Sequence, residues 1–350
     1  MSHELKTGGD RGYLRIATEE AFATQEQIDL ILKMVKEGRA DRGTTSLWTF
    51  YGASNDERAQ LTTKRLLDLG ETRIADMDAT GIDIAVLSLT SPGVQAYDDV
   101  DTAKRVCVDA NDILADACKA YPTRYVGMTS IAPQDPEWSA QEIRRGADLG
   151  FRGVMVNSHT HGEYLDNPKF DPIFRALADT GQPLYIHPSP PPDSMIGPML
   201  EAGLDGAVYG FGVDTGLHGL RVITSGIFDR YPDLQMILGH GGEALPYWLF
   251  RTNFMHQAGV RSKRYECLKP LKHDLFHYMR NNVIATTSGL AWEPAITMAM
   301  NVMGDDRVMY AMDYPYQYIP DEVRTYDNFN ISDEAKKKLM QTNAERIFKL

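Results

Sequence analysis

The chain has 350 residues, 43% of them hydrophobic and 24% charged, with a formal net charge of −12. That composition is ordinary for a globular protein in water, and the charge argues against nucleic acid or an anionic membrane surface as partner. Three cysteines, Cys107, Cys118 and Cys267, are too few and too scattered for a disulfide framework or a metal knuckle, so a reducing cytoplasm is expected.

The opening MSHELKTGGDRGY has no apolar core for a signal peptide and reads as a flexible tail over residues 1–12. Short apolar segments then alternate with helix-length amphipathic ones. The expected strands are YLRIAT (13–18), IDIAVLSLT (82–90), YVGMTSIA (125–132), RGVMVNS (152–158), PLYIHP (183–188), QMILGH (235–240), NVIATT (282–287) and RVMYAMD (307–313). Helices are expected over 101–121, 171–181, 217–231, 291–303 and 332–348. Each strand is a nearly continuous apolar run, as it must be when both faces of a sheet are covered. Eight such βα units predict an α/β fold, a (β/α)8 TIM-type barrel spanning 1–350 as one domain. An open doubly wound sheet is the other reading, but no GxGxxG follows the first strand. Two stretches break the rhythm, Arg39–Gln60 after the first strand and Gly259–Arg280 between the sixth and seventh. Such insertions cap active sites or build subunit interfaces.

A barrel of this kind carries its chemistry at the carboxyl ends of its strands. Those positions hold Glu19 and Glu20, Thr90, Asn157, His187, His240 and Asp313, with His159 and His161 just past strand 4 as loop or pocket residues. Carboxylates and imidazoles converging from several strands form a mixed N/O set that suits Zn²⁺, Mn²⁺ or Fe²⁺. Glu19 then reaches for a metal ion, and Glu20 points to the opposite side of the strand. Each residue also has a plainer reading: His187 as a strand-end histidine bonded to backbone, Asp313 as a turn cap. In SGIFDRYPDLQMILGHGGEALPYWLFR, from Ser225 to Arg251, the glycines allow close approach beside His240. Glu243, three residues on, is placed to bond the imidazole and fix its tautomer. Arg251 is either an anion clamp or a solvated charge.

TEEAF at the first strand, His187 at the fifth, HGGEALPYW at the sixth and MDYP at the eighth together resemble the amidohydrolase superfamily. More narrowly, they are similar to its non-oxidative ortho-hydroxybenzoate decarboxylases, from about Leu14 to the C-terminus. The chain departs from the general superfamily pattern, with Glu19-Glu20-Ala21 in place of a first-strand HxH and Val156-Asn157 in place of a bridging residue on strand 4. A dinuclear hydrolytic site is therefore not expected. The resemblance implies Glu19, His187 and Asp313 on one divalent ion per subunit, Mn²⁺ before Zn²⁺, and no organic cofactor. It implies a small ortho-hydroxy aromatic acid as substrate, with Asp313 delivering a proton to the ring carbon and His240, backed by Glu243, steering it. Arg251 is the expected partner of the substrate carboxylate, and Arg58 is expected to serve its own or a neighbouring subunit's site in a homodimer or homotetramer. Tyr51, Tyr316, His159 and Thr90 are the remaining candidates for substrate contact. A mononuclear hydrolase of a lactone or amide, with Asp313 as base to a metal-bound water, uses the same ligands and is the alternative.

Overall fold

Residues 12–350 are described by a computed structural model of the chain; the expected tail, Gly12 apart, lies outside them. Eight strands run β1 (Ile16–Phe22), β2 (Ile84–Leu89), β3 (Tyr125–Ser130), β4 (Gly153–Asn157), β5 (Leu184–His187), β6 (Met236–Leu238), β7 (Val283–Thr286) and β8 (Val308–Met309). They are parallel and hydrogen-bonded in chain order. Beyond β8 the ring closes on β1: Thr18 N–H donates to Tyr310 O at 3.0 Å and Ala21 N–H to Tyr314 O at 2.7 Å. The expected (β/α)8 barrel is the fold.

The period-2 alternation of strands sorts the side chains. Ile16, Ile84, Val86, Met128, Met155, Tyr185, Ile237, Ile284 and Met309 fill the interior. Their neighbours Ala17, Ala85, Leu87, Val154, Val156 and Leu238 pack outwards on the helices. The last helix, Asn343–Phe348, closes the lower end with Ile347 and Phe348 in the interior cluster.

One irregularity decides the site. Ala17 pairs with Ala85 and Glu20 with Leu87, so Thr18 and Glu19 together oppose Val86. This bulge adds one residue to β1 and turns Glu19 into the barrel while Glu20 faces out. The two carboxylates therefore stand inside a strand that continues to Phe22, not at its end as the 13–18 reading has it.

The excursion over Arg39–Gln60 holds the helix Arg42–Ala53 and the start of Glu57–Leu66. Asp41 caps the first by accepting from Thr44 N–H at 2.7 Å, and Asp56 caps the second by accepting from Ala59 N–H at 2.9 Å. The excursion over Gly259–Arg280 holds the end of Leu245–Ser262, a loop, and most of Leu275–Asn281. A helix that the sequence reading lacks, Asp193–Ala202, follows β5, and the next one starts at Gly210, ahead of the expected 217. No helix of the described residues is long and apolar enough to cross a membrane.

The Gly210–Thr224 helix carries a buried polar network. Asp214 accepts from Ser158 Oγ at 2.5 Å and Tyr164 OH at 2.6 Å, and Leu165 N–H donates to His218 Nε2 at 3.0 Å. Burial pushes the fully buried His218 down to about 3, so the folded protein holds it neutral as an acceptor. The unfolded chain protonates it near its ordinary value of 6.5. Its stabilising effect is thus full above pH 6.5 and is lost as pH falls towards 3, by up to about 1.4 kcal/mol per pH unit. His218→Gln keeps an acceptor that does not titrate. Its Tm should therefore fall less steeply than that of the unsubstituted protein between pH 6.5 and 4.5; equal slopes would remove His218 from the acid response.

Candidate metal centre and substrate cavity

Glu19, 2% exposed, enters the barrel from β1. Its Oε2 accepts from the Tyr185 hydroxyl and from Thr286 Oγ1, the latter at 3.0 Å, while Oε1 is buried with no hydrogen-bond partner. At the end of β5, His187 Nδ1 lies 2.8 Å from Pro188 O and 3.1 Å from Asn157 Oδ1. Both partners are acceptors, so Nδ1 carries the proton and Nε2 presents its lone pair. Burial lowers the His187 pKa and keeps the ring neutral. Nε2 stands 3.3 Å from the orphaned Glu19 Oε1. Two acceptors facing each other in a dry site call for a cation between them.

His240 arrives by a different route. Residues 240–244 are five consecutive left-handed residues, His240 (φ 48°), Gly241 (72°), Gly242 (80°), Glu243 (52°) and Ala244 (60°). Glycine adopts this conformation freely, whereas each of the other three costs about 1–2 kcal/mol. The turn brings Glu243 Oε1 to 2.8 Å from His240 Nδ1, the pairing expected from HGGE, and leaves Nε2 3.9 Å from Glu19 Oε1. Gly216 lets the neighbouring helix lie against it, since a Cβ there would stand 3.0 Å from Glu243 O. Burial alone would lower the His240 pKa, but Glu243, Glu19 and Asp313 outweigh it and raise it to about 10.

Asp313 follows β8, also left-handed, at φ 72°. Burial raises its carboxyl well above the usual range; His240 opposes that rise, and Glu19, Glu322 and Glu243 add to it. Glu19, His240 and Asp313 each offer a ligand atom within 4.8 Å of the other two. The structure thus brings Glu19, His187, His240, Glu243 and Asp313 to one place. An oxygen-rich donor set with imidazole fits one first-row divalent ion.

His187, His240 and Asp313 open on a cavity of about 790 Å³, lined also by Tyr51, Arg58, Tyr316, Phe50, Pro190 and Phe211. Arg58 donates to Tyr316 O at 3.1 Å, and the Tyr51 and Tyr316 rings meet edge to face at 5.1 Å. Thr90 and His159 are drawn in differently from the expectation. Thr90 Oγ1 lies 2.6 Å from the Tyr316 hydroxyl and stands behind it, outside the lining. His159 bonds Pro190 O at 3.0 Å and Gly162 N–H at 3.1 Å; both ring nitrogens hold loop backbone, and neither faces the cavity. Arg251 is exposed and absent from the lining, because its helix turns Pro246, Leu249 and Gly259 inwards. Two positions on from Leu249, a side chain lies on the far side of a helix. Tyr185 and Thr286, which hold Glu19, carry no signal in the sequence, because nothing in an apolar strand marks a hydroxyl that faces a carboxylate across the barrel.

Residues 59–350 match the amidohydrolase family. The chain belongs to that family. A 5-carboxyvanillate decarboxylase from Novosphingobium aromaticivorans, solved with manganese and 4-hydroxy-3-methoxy-5-nitrobenzoic acid, is 64% identical. It superposes with a TM-score of 0.97 over 100% of both chains. The 5-carboxyvanillate decarboxylase of Sphingomonas paucimobilis is 36% identical, with a TM-score of 0.91 over 97% of this chain and 99% of that one. A gamma-resorcylate decarboxylase from Polaromonas sp. is 33% identical over 344 residues, covering 96% of this chain and 98% of its own. The resemblance read from TEEAF, HGGEALPYW and MDYP is borne out at the level of the family and of its hydroxybenzoate decarboxylases.

Proposed function

We propose that this chain is a carbon–carbon lyase that decarboxylates 5-carboxyvanillate to vanillate and CO₂ without oxidation, using one divalent metal ion. The observation that carries this reading is the orphaned Glu19 oxygen facing His187 Nε2 at 3.3 Å, with His187 and Asp313 lining a cavity wide enough for a substituted benzoate. The 64% identity to a 5-carboxyvanillate decarboxylase supports the choice of substrate within the family. Glu19, His187 and Asp313 would hold the ion, Mn²⁺ first and Zn²⁺ second, and no organic cofactor is needed.

Direct loss of CO₂ would leave an aryl anion, so the ring carbon that bears the carboxylate is protonated first. A divalent ion held by Glu19, His187 and Asp313 would supply positive charge that stabilises the substrate's phenolate and carboxylate. Asp313 takes the phenol proton and passes it to the ring carbon, with the electrons of the oxygen feeding the ring. The carbon–carboxylate bond then breaks, its electrons restore aromaticity, CO₂ leaves, and Asp313 is again a carboxylate. His240, held by Glu243, keeps positive charge beside Asp313 through the transfer. Arg58 in the cavity wall takes a substrate carboxylate, and Tyr51 and Tyr316 bond ring oxygens.

The same reading makes the protein a cytoplasmic homodimer or homotetramer, to which the exposed row Tyr247, Trp248, Phe250 and Phe254 lends support.

Metal-stripped enzyme, mixed with 5-carboxyvanillate with and without Mn²⁺, tests the reading through the ultraviolet spectrum and released CO₂. Vanillate and CO₂ should form only with metal. Metal-dependent turnover of a lactone without CO₂ would instead establish the hydrolase.

A further inference from the structure

We propose that Glu20 is a positioning residue for Asp313: its two carboxylate oxygens grip the backbone on both sides of the acid and fix where that side chain stands. The inference rests on the reading of Asp313 as ligand and proton donor.

Glu20 is 4% exposed and faces outwards from β1, one residue beyond Glu19. Its Oε1 accepts the Met312 N–H at 3.0 Å and its Oε2 the Tyr314 N–H at 3.2 Å, so the carboxyl group straddles Asp313. Regular pairing of β8 stops at Met309, and the chain beyond is held group by group. Thr18 takes Tyr310 O, Thr287 Oγ1 bonds both N–H and C=O of Ala311, and Ala21 N–H takes Tyr314 O. At 312 and 314 the partner is Glu20. Buried N–H groups demand such partners. The left-handed φ of Asp313 persists only if its flanks are over-determined. Arg73, fully buried, steadies the assembly: it donates to Ala21 O at 2.7 Å and lies 4.6 Å from the centroid of the Tyr314 ring.

Adjacent residues of one bulged strand thus serve one centre. Glu19 turns inwards to offer an oxygen, and Glu20 turns outwards to fix the other carboxylate contributed from β8. The two-point grip needs two acceptors at glutamate reach. An amide would set its NH₂ against one N–H, and aspartate is one methylene short.

Glu20→Gln, Glu20→Asp and Asp313→Asn, loaded with Mn²⁺, test this by the Mn²⁺ electron paramagnetic resonance line shape, kcat, KM and Tm. In Glu20→Gln the spectrum should shift towards that of Asp313→Asn, and kcat should fall about 10²-fold, the loss typical of a misplaced catalytic group, with KM little changed. Glu20→Asp, with both acceptors, should recover part of both signals, which a role in stability alone does not require. An unaltered spectrum and kcat in Glu20→Gln would overturn the proposal, as would a lower Tm with full turnover per bound metal. If the unsubstituted protein releases no CO₂ yet Glu20→Gln still moves the Mn²⁺ spectrum towards Asp313→Asn, Glu20 positions Asp313 and the decarboxylase reading alone fails. Should Glu20→Gln not fold, a Glu20→Asp spectrum and kcat identical to the unsubstituted protein's would overturn it.

Discussion

Asp313→Asn should remove decarboxylation almost entirely, with kcat lower by about 10⁴-fold, the upper end of what one general acid contributes. The substitution keeps size and shape, so the left-handed turn at φ 72° and the Gln317 N–H that donates to Asp313 O at 2.9 Å can stay as they are. Asparagine has no proton to give at neutral pH, and its neutral oxygen is a weaker ligand for a divalent ion. It also removes one of the carboxylates around His240, so the protonated imidazole loses a counter-charge. Steady-state rates with 5-carboxyvanillate, beside the metal content of the same sample, decide the matter. Near-normal turnover takes Asp313 out of the mechanism. Full metal occupancy with no turnover assigns it to the proton rather than to the ion.

Burial explains why the barrel was legible in the sequence and the wiring of the centre was not. A parallel strand covered on both faces must be apolar throughout, so all eight strands stand out as short hydrophobic runs. The helices on the outside show their amphipathic stripe, as at Val100–Ala120. Helices that carry prolines and glycines escape such a reading. Asp193–Ala202 holds Pro198 inside it, and Gly210–Thr224 spends Gly210, Gly212, Gly216 and Gly219 on close approach to Asp205, Glu243 and Leu238.

The centre itself shows which residues are polar at a mouth, and not what they touch. Glu19 and Glu20 looked like the polar end of a strand, because their partners are distant in sequence: Tyr185 and Thr286 for one, the amides of Met312 and Tyr314 for the other. The expected strand over 307–313 shrinks to Val308–Met309, since at Ala311 and Met312 the side chains of Thr287 and Glu20 take the place of a neighbouring strand's backbone. HGGE was readable because its pairing is local and its glycines announce the left-handed turn. Arg251 was not, because the inward face of a helix that is apolar on several sides is set by what packs against it.

Glu19→Gln carries the second large effect, and the state without metal makes it diagnostic. Glu19 is 2% exposed, and one of its oxygens is unpartnered, so without an ion the fold holds an under-compensated buried charge. The amide removes that charge at constant shape. The metal-free variant should therefore melt at or above the metal-free unsubstituted protein. Added Mn²⁺ reverses the order. An ion that binds only the folded state stabilises it by about 2.7 kcal/mol at a concentration of 100 Kd, and so raises the Tm of the unsubstituted protein. The variant loses the charged oxygen and must turn its NH₂ either towards the ion or towards the Tyr185 and Thr286 hydroxyls. Its Mn²⁺ affinity should fall by about 10²-fold or more, about 2.7 kcal/mol, and its Tm should barely respond to the metal. Paired melting curves with and without Mn²⁺ measure both halves. A variant whose Tm still climbs with Mn²⁺ as far as the unsubstituted protein's would show that Glu19 is not a ligand, and would leave its orphaned oxygen without a purpose.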